Sequence, residues 1–398
     1  MYNKILHRAK ELENETAEFL CDLIRTPSFS CKEKDVIELI KGRMINEGFD
    51  EVRIDGLGNV IGRIGNGNRL IAFDAHVDTV YPGDMSLWNF DPFQPKIEDG
   101  KVWGRGSVDQ KSGMASMIYA AKIIKELNLN KDFTILFTGT VMEEDCDGLC
   151  WQYLINEEKI RPELVVITEP TNLNIYRGHR GRMEIMVNIK GLSCHGSAPE
   201  RGDNAIYKIS RIALEIEKLN GRLKDDEFLG KGTVCVTQVF FSSPSQCAVP
   251  DSASIQLDRR LTYGETKESA IEEVKESAKI AGYPDAEVEV LRYNETSYTG
   301  IKYPAEKYYP TWVLEENSGY LNRAETAFNN IFGKKPEIGK WTFSTNGIAI
   351  SGMHKIPCLG FGPGNEVLAH MPNENCPVGH LSSASAFYAG LIYKLNNI

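Results

Sequence analysis

Several short stretches of this chain carry side chains able to do chemistry. His76-Val77-Asp78 ends an apolar run, and in extended backbone residues two apart point the same way, so imidazole and carboxylate share a face. A carboxylate beside an imidazole fixes its tautomer and raises its basicity, which suits a metal-ligating histidine. The segment Gly104-Arg105-Gly106-Ser107-Val108-Asp109 holds one acid on a glycine-rich turn. It has neither the third glycine of a dinucleotide loop nor the Gly-Lys-Ser/Thr order of a phosphate loop. Glu143-Glu144-Asp145 follows the β-prone run 133–141, and three adjacent acids behind a buried strand repel one another unless a cation or solvent offsets the charge. Glu169 follows the apolar run 164–168, and His370 lies in a loop after the run 357–361.

Taken singly, each stretch has a bland reading as a satisfied structural histidine or a solvated acidic loop. Taken together they end several strands on one edge, where open α/β sheets gather their sites. Two histidines and at least three carboxylates there match a two-cation site of hard and borderline ligands, with zinc the best fit. Two cations about 3.5–4 Å apart need a bridging carboxylate and lower the pKa of a shared water. One more carboxylate, left off the metals, can take that water's proton. Those are the requirements for hydrolysing an amide.

The elements that must position these residues fall into two patterns. Helices are expected over 11–26, 34–47 and 113–127, and strands over 51–54, 59–64, 70–75, 133–141 and 164–168. Strands without polar alternation, separated by helices, predict an α/β sheet covered on both faces. From residue 182 the strands alternate (182–189, 232–241, 253–261 and 287–293), with helices at 204–219 and 266–282. That β-α-β-β-α-β order predicts an open antiparallel, ferredoxin-like α+β module. A helix at 324–332 and a strand at 357–361 return to the first pattern. The expected organisation is a catalytic domain built from 1–180 and 297–398, with a lid or dimerisation domain, 181–296, inserted.

Composition narrows the function classes. The chain has 398 residues and a net charge of −10 from 45 basic and 55 acidic side chains. An acidic balance with no Lys/Arg-rich run argues against nucleic-acid partners. No run approaches the roughly 18 apolar residues of a membrane span, and the amino terminus has no secretory h-region. The nine cysteines include no C-x-x-C pair, which reads as reduced thiols and a cytoplasmic location.

In their order along the chain, His76-x-Asp78, Gly-Arg-Gly-x-x-Asp109, Glu143-Glu144, Glu169-Pro170-Thr171 and His370 resemble the acetylornithine deacetylase / succinyl-diaminopimelate desuccinylase family of dinuclear zinc amidohydrolases. Aminoacylases and glutamate-releasing carboxypeptidases belong to the same family. The resemblance spans the whole chain and implies two Zn²⁺, with Co²⁺ or Mn²⁺ as substitutes. His76, Asp109 and Glu169 would hold one ion; Asp109, Glu144 and His370 would hold the other, with Asp109 bridging. Glu143 would be the general base, Asp78 would orient His76, and the Asp109–Gln110 peptide would be cis.

Gly191-Leu-Ser-Cys-His195-Gly-Ser-Ala-Pro199 resembles the family's lid motif. It implies that His195 of one subunit reaches its partner's site to stabilise the oxyanion, and hence a homodimer through the inserted domain. Asp258-Arg259-Arg260 resembles the segment whose first arginine grips a substrate carboxylate. Arg180 at the hinge is a second candidate clamp, and Asn346 falls where relatives line the substrate pocket. Two departures stand out: Cys247-Ala-Val-Pro replaces Asn-x-Val-Pro, and Ser-Thr-Asn346 replaces the desuccinylases' Thr-Ser-Asp. Both are similar to a branch associated with selenium and purine metabolism. The expected activity is hydrolysis of an N-acyl amino acid or small peptide with a free carboxylate. The alternatives are a dipeptidase or carboxypeptidase of the same family, or a catalytically silent metal-binding relative.

Overall fold

A computed structural model describes residues 1–397. The chain lays down β1 (Glu51–Ile54), β2 (Val60–Ile64), β3 (Arg69–His76), β4 (Phe133–Thr140), β5 (Leu164–Ile167) and β6 (Ile175–His179). Next come β7 (Gly181–Lys190), β8 (Thr233–Ser242), β9 (Ser252–Leu261) and β10 (Glu287–Val290), and finally β11 (Trp312–Val313), β12 (Ile338–Trp341) and β13 (Cys358–Gly360). The large mixed sheet runs β1-β2-β4-β3-β5-β13-β6-β11, with β12 also on β6. Its centre, β4-β3-β5-β13, is parallel, and the flanking pairs β1-β2, β2-β4, β13-β6 and β6-β11 are antiparallel. The central strands are apolar at nearly every position because helices cover both faces, and Phe73, Phe137, Val165 and Val166 are fully buried.

The covering helices are α1 (Tyr2–Glu11), α2 (Glu13–Ile24), α3 (Lys34–Asn46), α4 (Lys111–Glu126) and α5 (Leu149–Asn156), with α6 (Ala205–Arg222) and α7 (Lys267–Ile280) in the small sheet's layer and α8 (Gly319–Phe332) and α9 (Val378–Asn396) at the end. α1, α5 and α9 add to the helices that periodicity predicts. α9 buries Leu381, Ala384, Phe387, Tyr388, Leu391 and others around much of its circumference, so it has no apolar stripe to read. α1 buries only Ile5 and Ala9 and depends on its packing against α9.

β8-β9-β7-β10 form a separate antiparallel sheet, in the fourth-first-third-second order of the ferredoxin-like arrangement when read from its other edge. Its core is distinct from the large one. Met183, Ile185 and Val187 of β7 and Ile255 and Leu257 of β9 pack on Ile209, Ile212 and Ile216 of α6 and Val274 of α7. The opposite face of β7 and β9 is largely polar, and its Arg182 and Arg260 line a cavity shared with the acids at the carboxyl ends of the large sheet's parallel strands.

Candidate active site

The central parallel strands all point the same way, so the residues just past their carboxyl ends meet. His76 is the last residue of β3, Glu143 and Glu144 follow β4, Glu169 follows β5, and His370 lies in the loop after β13. Asp109 comes from the turn that leads into α4, and its peptide bond to Gln110 is cis.

The two histidines share Asp109. His76 Nε2 lies 2.9 Å from Asp109 Oδ1 and 3.4 Å from Glu169 Oε1. His370 Nε2 lies 3.1 Å from Asp109 Oδ2 and 3.0 Å from Glu144 Oε2. Glu143 Oε2 stands 3.8 Å from His76 Nε2, and its Oε1 is buried without a partner, as is Glu169 Oε2. His76 Nδ1–H donates to the Asp78 carbonyl at 3.0 Å, with the Asp78 carboxylate at 3.5 Å. That carboxylate chiefly accepts the Glu143 and Glu144 amides, at 3.2 and 3.1 Å, and the Ser30 hydroxyl at 2.7 Å.

Three supports hold this cluster in place. The buried Glu374 carboxylate accepts the amides of Gly106, Val108 and Asp109 and pairs with Arg105 at 2.7 Å, fixing the turn that carries Asp109. Glu33 accepts the amides of Cys31 and Met142 at 2.9 and 3.0 Å. Both of those residues have positive φ, 67° and 61°, which non-glycine residues adopt at a cost. Asp74 of β3 accepts Thr138 Oγ1 at 2.7 Å and Asn346 Nδ2 at 2.8 Å.

Burial pushes Glu144 up to about 7 and Glu169 up to about 8, and Asp109 reinforces both. Burial also lifts Glu143 well above the usual carboxylate range. At Asp109 burial acts upward too, but hydrogen bonds from His370 and His76 hold it low. His370 is raised to about 10 by its hydrogen bonds to Asp109 and Glu144. Burial is the first cause at Glu143, Glu144 and Glu169, and neighbouring acids add to it. The donor set is therefore suited to divalent cations: the ligand atoms of His76, Glu143 and Glu169, and those of His76, Asp109 and Glu144, form two trios each within 4.8 Å, two carboxylate oxygens are orphaned, and one carboxylate is split between two histidines.

A cavity of about 480 Å³ opens over the cluster. Asp147, Arg182, Arg260, Phe343, Ser344, Glu366 and Val367 wall it beside Asp109, Glu143, Glu144, Glu169 and His370. Three expected substrate contacts lie elsewhere. Arg259 is fully buried on the core face of β9, paired with Glu265 at 2.5 Å and Glu273 at 2.9 Å. Its neighbour Arg260 faces the cavity instead, because side chains alternate along a strand. Arg180 is directed to the Lys231 carbonyl at 2.8 Å. Asn346 is a buried strut: besides Asp74, its Oδ1 accepts the Gly148 amide at 3.0 Å. His195 is exposed in the small-sheet layer, where its Nδ1 accepts the Ser197 amide at 3.1 Å.

Arg260 was legible in principle. Ala253, Ile255, Leu257 and Leu261 set the inward parity of β9, and Arg259 shares it. Arg182, Asp147, Glu366, Glu374 and Glu33 carry no local motif, and only the fold brings them to the site.

The fold and this cluster define a metal-dependent hydrolase of the two-cation type. Residues 72–394 match the model of peptidase family M20/M25/M40, and the chain belongs to that family. It is 51% identical over 390 residues to the uncharacterized protein YgeY of Escherichia coli (strain K12), covering 98% of this chain and 96% of that protein. Among solved structures it is similar to aminopeptidase PepT from Bacillus cereus, with a TM-score of 0.74, 21% identity and 97% and 99% of the two chains covered. It is also similar to the YXEP protein of Bacillus subtilis, a dinuclear metal binding peptidase from the M20 family, with a TM-score of 0.71, 18% identity and 97% and 99% covered. Among the described residues no helix is long and apolar enough to cross a membrane.

Proposed function

We propose that this protein hydrolyses the amide bond of an N-acyl amino acid or short peptide that carries a free carboxylate. The observation that carries this reading is Asp109, with one oxygen facing His76 and the other His370, beside the unpartnered Glu143 Oε1. His76, Asp109 and Glu169 would hold one divalent cation, and Asp109, Glu144 and His370 the other; zinc suits these donors, with Co²⁺ or Mn²⁺ as substitutes. When bound, such a pair supplies Lewis acidity and acidifies water at neutral pH.

The chain supplies the rest. Glu143 takes the attacking water's proton at Oε1 and delivers it to the leaving nitrogen. Its burial supports this role, because a raised carboxylate pKa suits both halves of the transfer. Asp78 holds the Glu143 and Glu144 amides and so aims both side chains. Arg260, with Arg182 beside it, grips the substrate carboxylate in the place expected of Arg259 and Arg180.

The reading extends to a homodimer through the small sheet, in which His195 of a second copy completes the site as an oxyanion donor. Support comes from β8, an outermost strand whose Val239, Phe240 and Phe241 are 61%, 44% and 63% exposed, an apolar edge that natural sheets ordinarily cover. A cytoplasmic location fits the reduced thiols.

Glu143→Ala tests the reading. Turnover of acetyl and aminoacyl substrates should be lost while the protein still binds close to two metal ions per chain. Wild-type rates in this variant would remove the base assignment, and inactivity of the metal-loaded wild type across the panel would favour a silent metal-binding relative.

A further inference from the structure

Six acids and two arginines line the cavity, and five of those acids already have work. Asp109, Glu144 and Glu169 face the histidines, Glu143 stands over them, and Asp147 accepts the Ser344 hydroxyl and lies 3.9 Å from Arg182. Glu366 is the exception. It begins the short 3-10 turn Glu366–Leu368, four residues before His370. Its Oε2 is shielded from solvent and has no hydrogen-bond partner, and no neighbouring charge contributes to its titration. Burial alone accounts for its raised pKa of about 7.

A carboxylate kept in a cavity wall without a donor loses hydration and gains nothing until a donor arrives. Charge balance says which kind. With every acid ionised and His370 neutral, as they would be around two divalent cations, six carboxylates against two guanidiniums leave an excess of four negative charges, which those cations would cancel. A substrate that brings only a carboxylate makes the filled cavity anionic, whereas one that also brings a cation keeps it neutral. Arg260 and Arg182 account for the carboxylate.

We infer that Glu366 is a specificity-determining residue that binds a primary ammonium group of the substrate, so that the preferred substrates are zwitterionic. This rests on the amide-hydrolase reading and narrows it toward amides bearing a free amine. The ammonium could come from a peptide's amino terminus or from a basic side chain, and both offer Glu366 the same three N–H donors.

The test uses three substrates with the metal-loaded protein: glycyl-leucine (terminal ammonium), acetyl-lysine (side-chain ammonium) and acetyl-leucine (no ammonium). In the wild type, kcat/KM for one of the two ammonium substrates should exceed that for acetyl-leucine by about tenfold or more, because a site built to accept a hydrogen bond discriminates against an analogue lacking the donor. Which of the two does so identifies the source. In Glu366→Gln that ratio should collapse toward one through KM, with metal content unchanged. A wild type that does not discriminate, or a variant that keeps the ratio, overturns the inference while leaving amide hydrolysis intact. If none of the three is hydrolysed, the amide reading fails, and binding decides the inference separately. The thermal upshift produced by glycyl-leucine or acetyl-lysine should exceed that from acetyl-leucine in the wild type and not in Glu366→Gln; equal upshifts in the wild type would overturn it.

Discussion

Glu33 shows how far from the reacting atoms this site is held. Its carboxyl accepts two amides, and both belong to residues at positive φ; one of them, Met142, directly precedes Glu143. Asp78 accepts the next two amides along the chain, so two buried carboxyl groups fix three successive residues of the turn. Glu33→Gln keeps the accepting oxygen and should retain most of kcat. Glu33→Leu should lower kcat by about 10–100-fold with KM little changed, since misplacing a base by about an ångström costs on that order. Steady-state kinetics on the two variants checks the split.

The same crowding gives a pH dependence to the metal-free protein. Glu33 and Glu169 are raised to about 8 and Glu144 to about 7, each mainly by burial. A carboxylate with a folded pKa above its unfolded value binds more protons when folded, so its contribution to stability is fully present below about 4.5 and is lost as pH rises through the folded pKa. His370, raised to about 10, acts with the same sign at higher pH. The melting temperature of EDTA-treated protein should therefore fall between about pH 5 and 9, and saturating Zn²⁺ should restore it most at the alkaline end. Calorimetry across that range checks this; a metal-free protein that gains stability with rising pH would contradict it.

Strand β9 separates two adjacent arginines into different tasks. Arg259 points into the small core, where Glu265 and Glu273 neutralise it; Arg260 points into the cavity, steadied by Asp258 at 2.7 Å. Removing one partner of a buried pair strands the other charges, so Arg259→Ala should destabilise the protein by about 3–5 kcal/mol. Arg260→Ala should leave the melting temperature nearly unchanged and raise KM by about tenfold or more, because a half-buried guanidinium at a cavity mouth contributes little to folding and much to a desolvated carboxylate. Denaturation curves and KM measured on both variants distinguish the two faces.

For the whole molecule, the question is what the small sheet is for. His195 is exposed in its own chain while the cavity opens elsewhere, and the apolar β8 edge needs cover. In a two-fold dimer each site would combine Glu143 of one chain with His195 of the other. Mixing the inactive variants Glu143→Ala and His195→Ala, with subunits allowed to exchange, should then recover about a quarter of wild-type activity, since half of random dimers are mixed and each mixed dimer holds one intact site. No recovery, with sedimentation showing that exchange has occurred, would place His195 outside the site.

Much of the molecule was legible in the linear chain, and the reason is local. Metal-type side chains at the ends of apolar runs or on a glycine-rich turn, and a pattern that changes from continuous to alternating near residue 181, are properties of neighbouring residues; they predict an α/β sheet and a β-α-β-β-α-β layer, and they single out His76, Asp109, Glu143, Glu144, Glu169 and His370, which the structure brings to one place. What the tertiary structure decided was everything that depends on distant segments meeting. Glu33 supports a turn at Met142, Glu374 holds the loop of Asp109, and Asn346 is consumed as a strut because Asp74 lies within reach of it. Arg259 and Arg260 differ in sequence by one position and in environment by a whole sheet face. α9 stayed unread because burial around most of a helix erases the periodicity that reveals one. Spacing along a chain determines which chemistry is available; only packing determines which groups are left free to perform it.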